Sequence, residues 1–473
     1  MHKKSLLFAS SEVYPFVKTG GLADVSHSLP KALSESYDVT VVLPLYRVID
    51  RKRFKITMSE SFEITMGEST YPIELHRASF EGMEYRFVYT PLLCDREFLY
   101  GPPECGYEDN AERFALYAYV LREMVRREAY ALLHLNDWQC ALAALLIKEE
   151  SAISTKTLYT IHNLAYQGVF ESSILPRIGV DTRYYTMDAL EFYDQVNFMK
   201  AGIAYADLIT TVSPTYAKEI LTSEFGCGLE GFLQVHKRKL HGILNGIDRD
   251  HFSPSADGAL VECYTDAKGK KASKSDLLKS LGLKGATKPL FVFIGRLAHQ
   301  KGIDLLIETL PKMADLECNI ALLGEGGDAY NEALSVISER YANVSVSSGY
   351  DEALSRRMYA GADFLVMPSL FEPCGLNQMI AFAYGAIPIV NRVGGLVDSV
   401  KKLESFEEES TSGFGIVFSS PTSRSFLAAI KKGCELYRDK KHFESIINHN
   451  MQCDYSWSQS AQAYLKLYQR LLK

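Results

Sequence analysis

Phe371-Glu372-Pro373-Cys374-Gly375-Leu376-Asn377-Gln378 follows Asp363-Phe364-Leu365-Val366-Met367-Pro368-Ser369, an apolar run that reads as a buried strand entering a loop. Beyond it, Leu376, Met379, Ile380 and Ala383 recur at i, i+3, i+4 and i+7, the apolar stripe of a helix that Gly375 opens. A carboxylate and a thiol therefore sit on a strand-to-helix turn. A helix start offers free N–H groups and partial positive charge, which suits a phosphate. Glu372 beside it does not neutralise that phosphate, but it accepts hydrogen bonds. The turn thus points to a ligand with a diphosphate at one end and hydroxyls at the other; a plain βα connection is the simpler alternative.

The flanking sequence repeats the strand–loop–helix pattern. Residues 290–294 read as a strand into Gly295-Arg296, with Lys301-Gly302 before a helix carried by Ile303, Leu306, Ile307, Leu310 and Met313. Arg supplies a planar fork and Lys a point charge, a pair able to clamp a diphosphate. Strands follow at 319–323 and at 343–347, the latter before Gly349-Tyr350, where an aromatic ring can stack on a flat base. Another at 387–390 enters Gly394-Gly395-Leu396-Val397-Asp398, which echoes Gly20-Gly21-Leu22-Ala23-Asp24 far upstream. Two doubly wound domains with a similar turn in each suggest a facing pair with a cleft between them.

The first half opens as β–loop–α–β over 6–43, with Lys18 just before the glycine pair. Paired glycines admit close backbone approach, and Lys18 can reach an anion; a glycine turn with a surface lysine is the alternative. It is neither a Walker loop nor G-x-G-x-x-G. Residues 55–91 read as hairpins, 99–107 as a turn-rich loop and 109–130 as a helix. The strand at 132–136 ends at Asp137, placed either to bind a ligand or to cap the next helix. The strand at 156–161 ends in His162-Asn163, which can hydrogen-bond hydroxyls. A helix is expected over 190–206, a solvated basic run over 236–241, a linker-like insertion over 253–285 with a helix near 273–281, and an amphipathic helix from Trp457 to the tail.

Composition narrows the function classes. A chain of 473 residues suggests two domains, and 47% apolar with 23% charged residues is ordinary for a globular protein. A net charge of −7 gives no reason to expect nucleic acid or a membrane surface as partner. Leu6-Leu7-Phe8-Ala9 is too short for a signal-peptide core, and no apolar run is long enough to span a bilayer. Nine cysteines without a C-x-x-C pair fit reduced cytoplasmic thiols rather than disulfides or zinc.

Lys18-Thr19-Gly20-Gly21-Leu22-Ala23-Asp24-Val25, His162-Asn163-Leu164-Ala165-Tyr166-Gln167-Gly168, Asn245-Gly246-Ile247-Asp248, Gly295-Arg296-Leu297 with Gln300-Lys301-Gly302, and Phe371-Glu372-Pro373-Cys374-Gly375-Leu376 occur in this order. Together they resemble the bacterial glycogen synthases and plant starch synthases, from about residue 5 to the tail. The resemblance implies an α/β GT-B fold, two doubly wound Rossmann-like domains facing a central cleft. It implies an acceptor-side domain over 1–240, a donor-side domain over 241–453 and a C-terminal helix, 454–473, packing back on the first domain. The implied reaction moves glucose from ADP-glucose to the non-reducing 4-hydroxyl of an α-1,4-glucan with retention, in the cytoplasm, with no metal or other cofactor. Glu372, Arg296, Lys301, Asp137 and His162 would be catalytic. Arg296 and Lys301 would hold the diphosphate, Glu372 the glucose hydroxyls, and Asp137, His162 and Asn163 would orient the sugar. Lys18 would touch phosphate, and Gly20, Gly21 and Gly375, with Leu376 and Asn377, would line it with backbone groups. Asp24, Asn245 and Cys374 join the substrate-binding set; Tyr350 would stack on adenine and Tyr100 would close over donor or acceptor.

Two positions depart from the pattern. Ile380 stands where many GT-B transferases carry a second Glu, and Gln139 where bacterial relatives often have His. The alternatives are a sucrose- or trehalose-type transferase with a UDP-sugar and small acceptor, or a catalytically silent glucan-binding protein. Ile380 and the Lys18 motif argue against the first. The intact Lys18, Arg296, Lys301 and Glu372 argue against the second.

Overall fold

The computed structural model describes residues 3–102, 105–349 and 351–473. The chain forms two compact units: Met1–Val212 with Ala217–Ile243 and Ser460–Lys473, and Leu244–Gln459 with Ser213–Tyr216.

The first unit is built on β1 (Lys4–Ala9), β2 (Tyr37–Pro44), β3 (Thr57–Met66), β4 (Ser69–Phe80), β5 (Met83–Tyr89), β6 (Leu132–Asn136) and β7 (Lys156–Ile161). It continues with β8 (Val169–Glu171), β9 (Glu191–Phe192), β10 (Gln195–Asn197), β11 (Leu208–Thr211) and β12 (Leu240–Gly242). Nine of these form one sheet in the order β12-β11-β7-β6-β1-β2-β5-β4-β3, parallel except where β4 and β3 extend it as antiparallel neighbours. The central strands are buried on both faces, and so Leu6-Leu7-Phe8 and Leu132-Leu133 read as continuous apolar runs. From β1 the chain builds outward through β2, then returns to lay β6 on the other side of β1. The β1/β6 edge is therefore a switch point, where open α/β sheets bind ligands beyond the strand ends.

The second unit holds β13 (Leu290–Ile294), β14 (Asn319–Gly324), β15 (Val344–Ser348), β16 (Phe364–Met367), β17 (Ile387–Asn391), β18 (Val400–Lys402) and β19 (Gly413–Phe418). They form an all-parallel sheet in the order β15-β14-β13-β16-β17-β19-β18. Its switch point lies between β13 and β16. The Arg296–Lys301 loop leaves the first of these strands and the Glu372 loop the second.

Three expectations need correction. The helix expected over 190–206 begins only at Phe198, where Asn197 caps it by accepting from Lys200 N at 3.2 Å. The residues before it form β9 and β10, joined by a turn with Tyr193 and Asp194 at φ +49° and +63°. The basic run is not simply a solvated face. Lys239 Nζ donates to Ala204 O and Ala206 O at 2.8 and 2.9 Å, closing the end of the helix Phe198–Tyr205. Nor is 253–285 a linker. Its helix, Lys270–Ser280, buries Leu277 and Leu278, and two of its lysines point inward. Lys270 Nζ donates to Tyr359 O, Ala360 O and Tyr384 O at 3.0, 2.6 and 2.8 Å. Lys274 Nζ pairs with Asp363 Oδ2 at 2.6 Å. One buried ammonium thus satisfies carbonyls at the ends of the helices Glu352–Gly361 and Asn377–Ala383.

Removing that ammonium takes one donor from each of three buried carbonyls, of which Tyr384 O keeps the Tyr264 hydroxyl at 2.8 Å. Lys270→Ala is expected to destabilise the protein by about 3 kcal/mol or more, read as an earlier thermal or urea transition with enzyme otherwise prepared alike; an unchanged transition would refute this role.

Candidate active site

In the second unit, Lys301 Nζ donates to both oxygens of Glu372, at 2.8 and 2.7 Å. Glu372 is 4% exposed, and Ser369 Oγ donates to its Oε2 at 3.0 Å. The two loops are tied together by Leu370 N donating to Gln300 O at 2.9 Å. Gly302, at φ +70°, lies so close to β16 that a Cβ there would come within 2.0 Å of Pro368 O. Lys301 and Glu372, expected to hold diphosphate and sugar respectively, therefore hold each other. The Arg296 guanidinium is exposed beside them, with Gln300 Oε1 at 3.4 Å.

The turn after Glu372 differs from expectation. Gly375 does not open the helix. It sits at φ +71°, and the helix runs Asn377–Ala383. Asn377 Nδ2 is committed to Ile294 O at 2.7 Å, which anchors the helix start to the end of β13. Leu376 is the residue before the helix. The Cys374 thiol is buried and accepts from the Asn245 backbone N–H; burial pushes its pKa up to about 12, and so it stays protonated. Asn245 is itself 5% exposed, and its Oδ1 is buried without a hydrogen-bond partner among the described residues. Tyr350 lies outside the described residues.

In the first unit the glycine loop is held by a carboxylate that sequence reading passed over. Glu12, just past β1 and 4% exposed, accepts from Thr19 N, Thr19 Oγ1 and Gly20 N at 2.5, 2.8 and 3.2 Å. The Gly20 N–H is thus already taken, contrary to its expected use toward phosphate. Gly21 starts the helix Gly21–Leu33. Tyr100 is also not free to close over a ligand, since its hydroxyl meets Ser11 Oγ at 2.7 Å and donates to Glu12 Oε1 at 3.0 Å. Lys18 Nζ pairs with Asp24 Oδ1 at 2.7 Å.

Across the switch point, Asp137 stands at the end of β6 with φ +55°, an arrangement costing of order 1–3 kcal/mol for a residue with a side chain. It occupies the N-cap position of the helix Trp138–Glu149, yet its side chain does not cap that helix. Its Oδ1 accepts instead from His162 N at 2.7 Å, with Asn163 N a second donor. Burial pushes its carboxyl up to about 7 against those two bonds, and Glu12 adds to the rise. His162 Nε2 lies 2.9 Å from Asn136 Oδ1, and burial pushes its imidazole down to about 3, which keeps it neutral. Asn163 Oδ1 accepts from Ala165 N at 3.0 Å. Gly168, at φ +65°, seats this loop against Trp138, whose ring would be 2.3 Å from a Cβ. The rule that found Asp137, a polar residue at a strand's C-terminal end, also finds Glu12 and Asn136.

Residues 5–235 match the starch synthase catalytic domain family, and residues 277–447 match the glycosyl transferases group 1 family. The chain is 38% identical to the glycogen synthase of Syntrophotalea carbinolica, over 99% of each. It is 40% identical to that of Aquifex aeolicus, over 98% of this chain and 99% of the relative. The chain belongs to the glycogen and starch synthase family of glycosyltransferases. The solved catalytic domain of starch synthase IV from Arabidopsis thaliana, bound to ADP and acarbose, is 31% identical with a TM-score of 0.91 over the whole of both chains. Sucrose-phosphate synthase from Thermosynechococcus elongatus, 17% identical over 99% of each chain with a TM-score of 0.63, shares the fold. The fold is GT-B, and glycogen (starch) synthase is the activity of the family. The small-acceptor and silent-protein alternatives are not favoured by likeness of this extent. Among the described residues, no helix is long and apolar enough to cross a membrane.

The first glycine of one Gly-Gly-Leu turn of this glycosyltransferase and the second glycine of the other sit in different surroundings. A Cβ on Gly395 would meet Cys374 O at 2.1 Å, whereas one on Gly20 would meet nothing within 4 Å. Gly395→Ala should therefore lower the melting temperature. Gly20→Ala should leave it unchanged and raise KM for the sugar nucleotide, because the space above Gly20 is read as ligand space. A Gly20→Ala enzyme with native KM would contradict that reading.

Proposed function

We propose that the chain transfers glucose from ADP-glucose to the non-reducing 4-hydroxyl of an α-1,4-glucan with retention, in the cytoplasm, using no metal or other cofactor. The observation that carries the proposal is the Lys301–Glu372 pair at the switch point of the second sheet, next to the exposed Arg296. One cluster holds two cations for a diphosphate and one carboxylate for hydroxyls. The adenosine diphosphate donor and glucan acceptor are supported by the relative solved with ADP and acarbose. In this reading Arg296 and Lys301 stabilise charge on the departing diphosphate, the task a metal ion has in other phosphate chemistry. In the first unit, Lys18 reaches phosphate, and Asp137, His162 and Asn163 recognise sugar hydroxyls.

Retention is read as attack from the leaving-group face. The bond from the anomeric carbon to the phosphate oxygen breaks, the bond to the glucan O4 forms on the same face, and the hydroxyl proton passes to the departing diphosphate. A protonated Cys374 and a Glu372 engaged by Lys301 and Ser369 support this reading over a covalent intermediate.

Glu372→Ala and Asp137→Ala should each lower kcat by about 100-fold or more without accumulating a glucosyl-enzyme. An intact-mass measurement showing the chain plus one glucosyl unit would overturn same-face attack. ADP-glucose should far exceed UDP-glucose as donor with glycogen as acceptor; the reverse order would overturn the donor assignment. An Asp137 carboxyl near 7 hydrogen-bonds a sugar hydroxyl best as the carboxylate, and so kcat/KM should rise with pH through about 7. Asp137→Asn should flatten that limb.

A further inference from the structure

We infer that Asn136 is a positioning residue: it fixes the His162 ring as the Nε2–H tautomer, which leaves Nδ1 as a bare acceptor for a substrate hydroxyl. The inference deepens, and rests on, the reading of His162 as a sugar-recognising residue.

The argument begins from what each atom can do. Asn136 closes β6 and is completely buried. Its Nδ2 donates to Ala9 O, the last residue of β1, at 2.9 Å. A backbone carbonyl only accepts, so the amide has one orientation: the NH2 faces β1 and Oδ1 faces the loop after β7. Oδ1 lies 2.9 Å from His162 Nε2 and also only accepts. The proton on this bond must therefore belong to His162. A neutral imidazole carries one N–H, so Nδ1 keeps its lone pair. Burial holds the ring neutral, and among the described residues Nδ1 has no hydrogen-bond partner.

Asp137, the next residue, fixes the same loop by a different atom, accepting from the His162 backbone N–H at 2.7 Å. Consecutive residues at one strand end therefore set the loop's position and its ring's tautomer separately. The pattern resembles the carboxylate or carbonyl that orients a ligating or catalytic histidine through its far nitrogen. It differs in outcome, because an amide oxygen sets the tautomer without adding the charge that would favour an imidazolium. Such a ring selects for a ligand O–H in one direction only: Nδ1 accepts a hydrogen bond from a hydroxyl and donates none.

The test uses the full-length enzyme. With 15N-labelled histidine, a long-range 1H–15N spectrum at neutral pH reports which ring nitrogen carries the proton, and His162 is assigned by the resonance lost in His162→Gln. The expected result is a protonated Nε2 and an unprotonated Nδ1; a protonated Nδ1 or an imidazolium would overturn the inference. Kinetically, Asn136→Ala should lower kcat/KM about tenfold in the native background and change it by less than about twofold when His162 is already Ala. Equal losses in both backgrounds would mean that Asn136 acts on the fold alone and would also overturn it. Full activity in His162→Ala would instead remove the sugar-recognising role on which the inference rests, an outcome the tautomer spectrum does not share.

Discussion

A carboxylate that is 4% exposed has to be paired, and in the second unit Lys301 pairs it through both oxygens. Stripping one partner from such a pair costs about 3–5 kcal/mol, because the other charge is left buried and alone. That constraint explains much of the local architecture. The left-handed Gly302, packed against Pro368 O, and the backbone bond from Leu370 to Gln300 bring the two loops close enough for the side chains to meet. The parallel sheet supplies the place, since β13 and β16 are neighbours whose following helices leave in opposite directions. A ligand phosphate offers Lys301 a competing anion, and a sugar hydroxyl offers Glu372 a competing donor. In the proposed reading the resting pair is a charge arrangement matched to the two ends of a sugar nucleotide.

The first unit solves the same problem with backbone groups. Glu12 and Asp137 flank its switch point and, among the described residues, carry no salt bridge to a lysine or arginine; they accept N–H groups from the loops they organise. Burial pushes the Asp137 carboxyl up to about 7 against the N–H groups it accepts, and the nearby Glu12 adds to that rise. Its positive φ belongs to the same account. The strained backbone aims the carboxylate at the loop after β7 rather than at its own helix. Asp137 was open to two readings in the sequence, ligand contact or helix cap, and the geometry disposes of the second.

How much of this was legible follows from where the information lies. The strands around both switch points are continuous apolar runs, and so Leu6 to Ala9 and Phe364 to Met367 announce themselves. The loops carrying Lys18, His162, Arg296 and Glu372 were legible as motifs after strands. The turn of β9 and β10 was not, because Tyr193 and Asp194 adopt positive φ without a glycine to mark it. The helix Lys270–Ser280 was expected near 273–281, but its packing was hidden by composition: Lys270 and Lys274 look like solvent residues until three carbonyls and Asp363 are seen around them. The Lys301–Glu372 bond joins residues far apart in sequence, and neither loop alone contains any sign of it.

The claim that Glu372 and an incoming diphosphate share Lys301 is tested most directly by calorimetric titration of ADP, which has no sugar for Glu372 to hold, into the native enzyme and Glu372→Gln. Removing the carboxylate's charge while keeping its shape should tighten ADP binding, because Lys301 no longer has a competing anion. Unchanged or weaker ADP binding in Glu372→Gln would contradict the account.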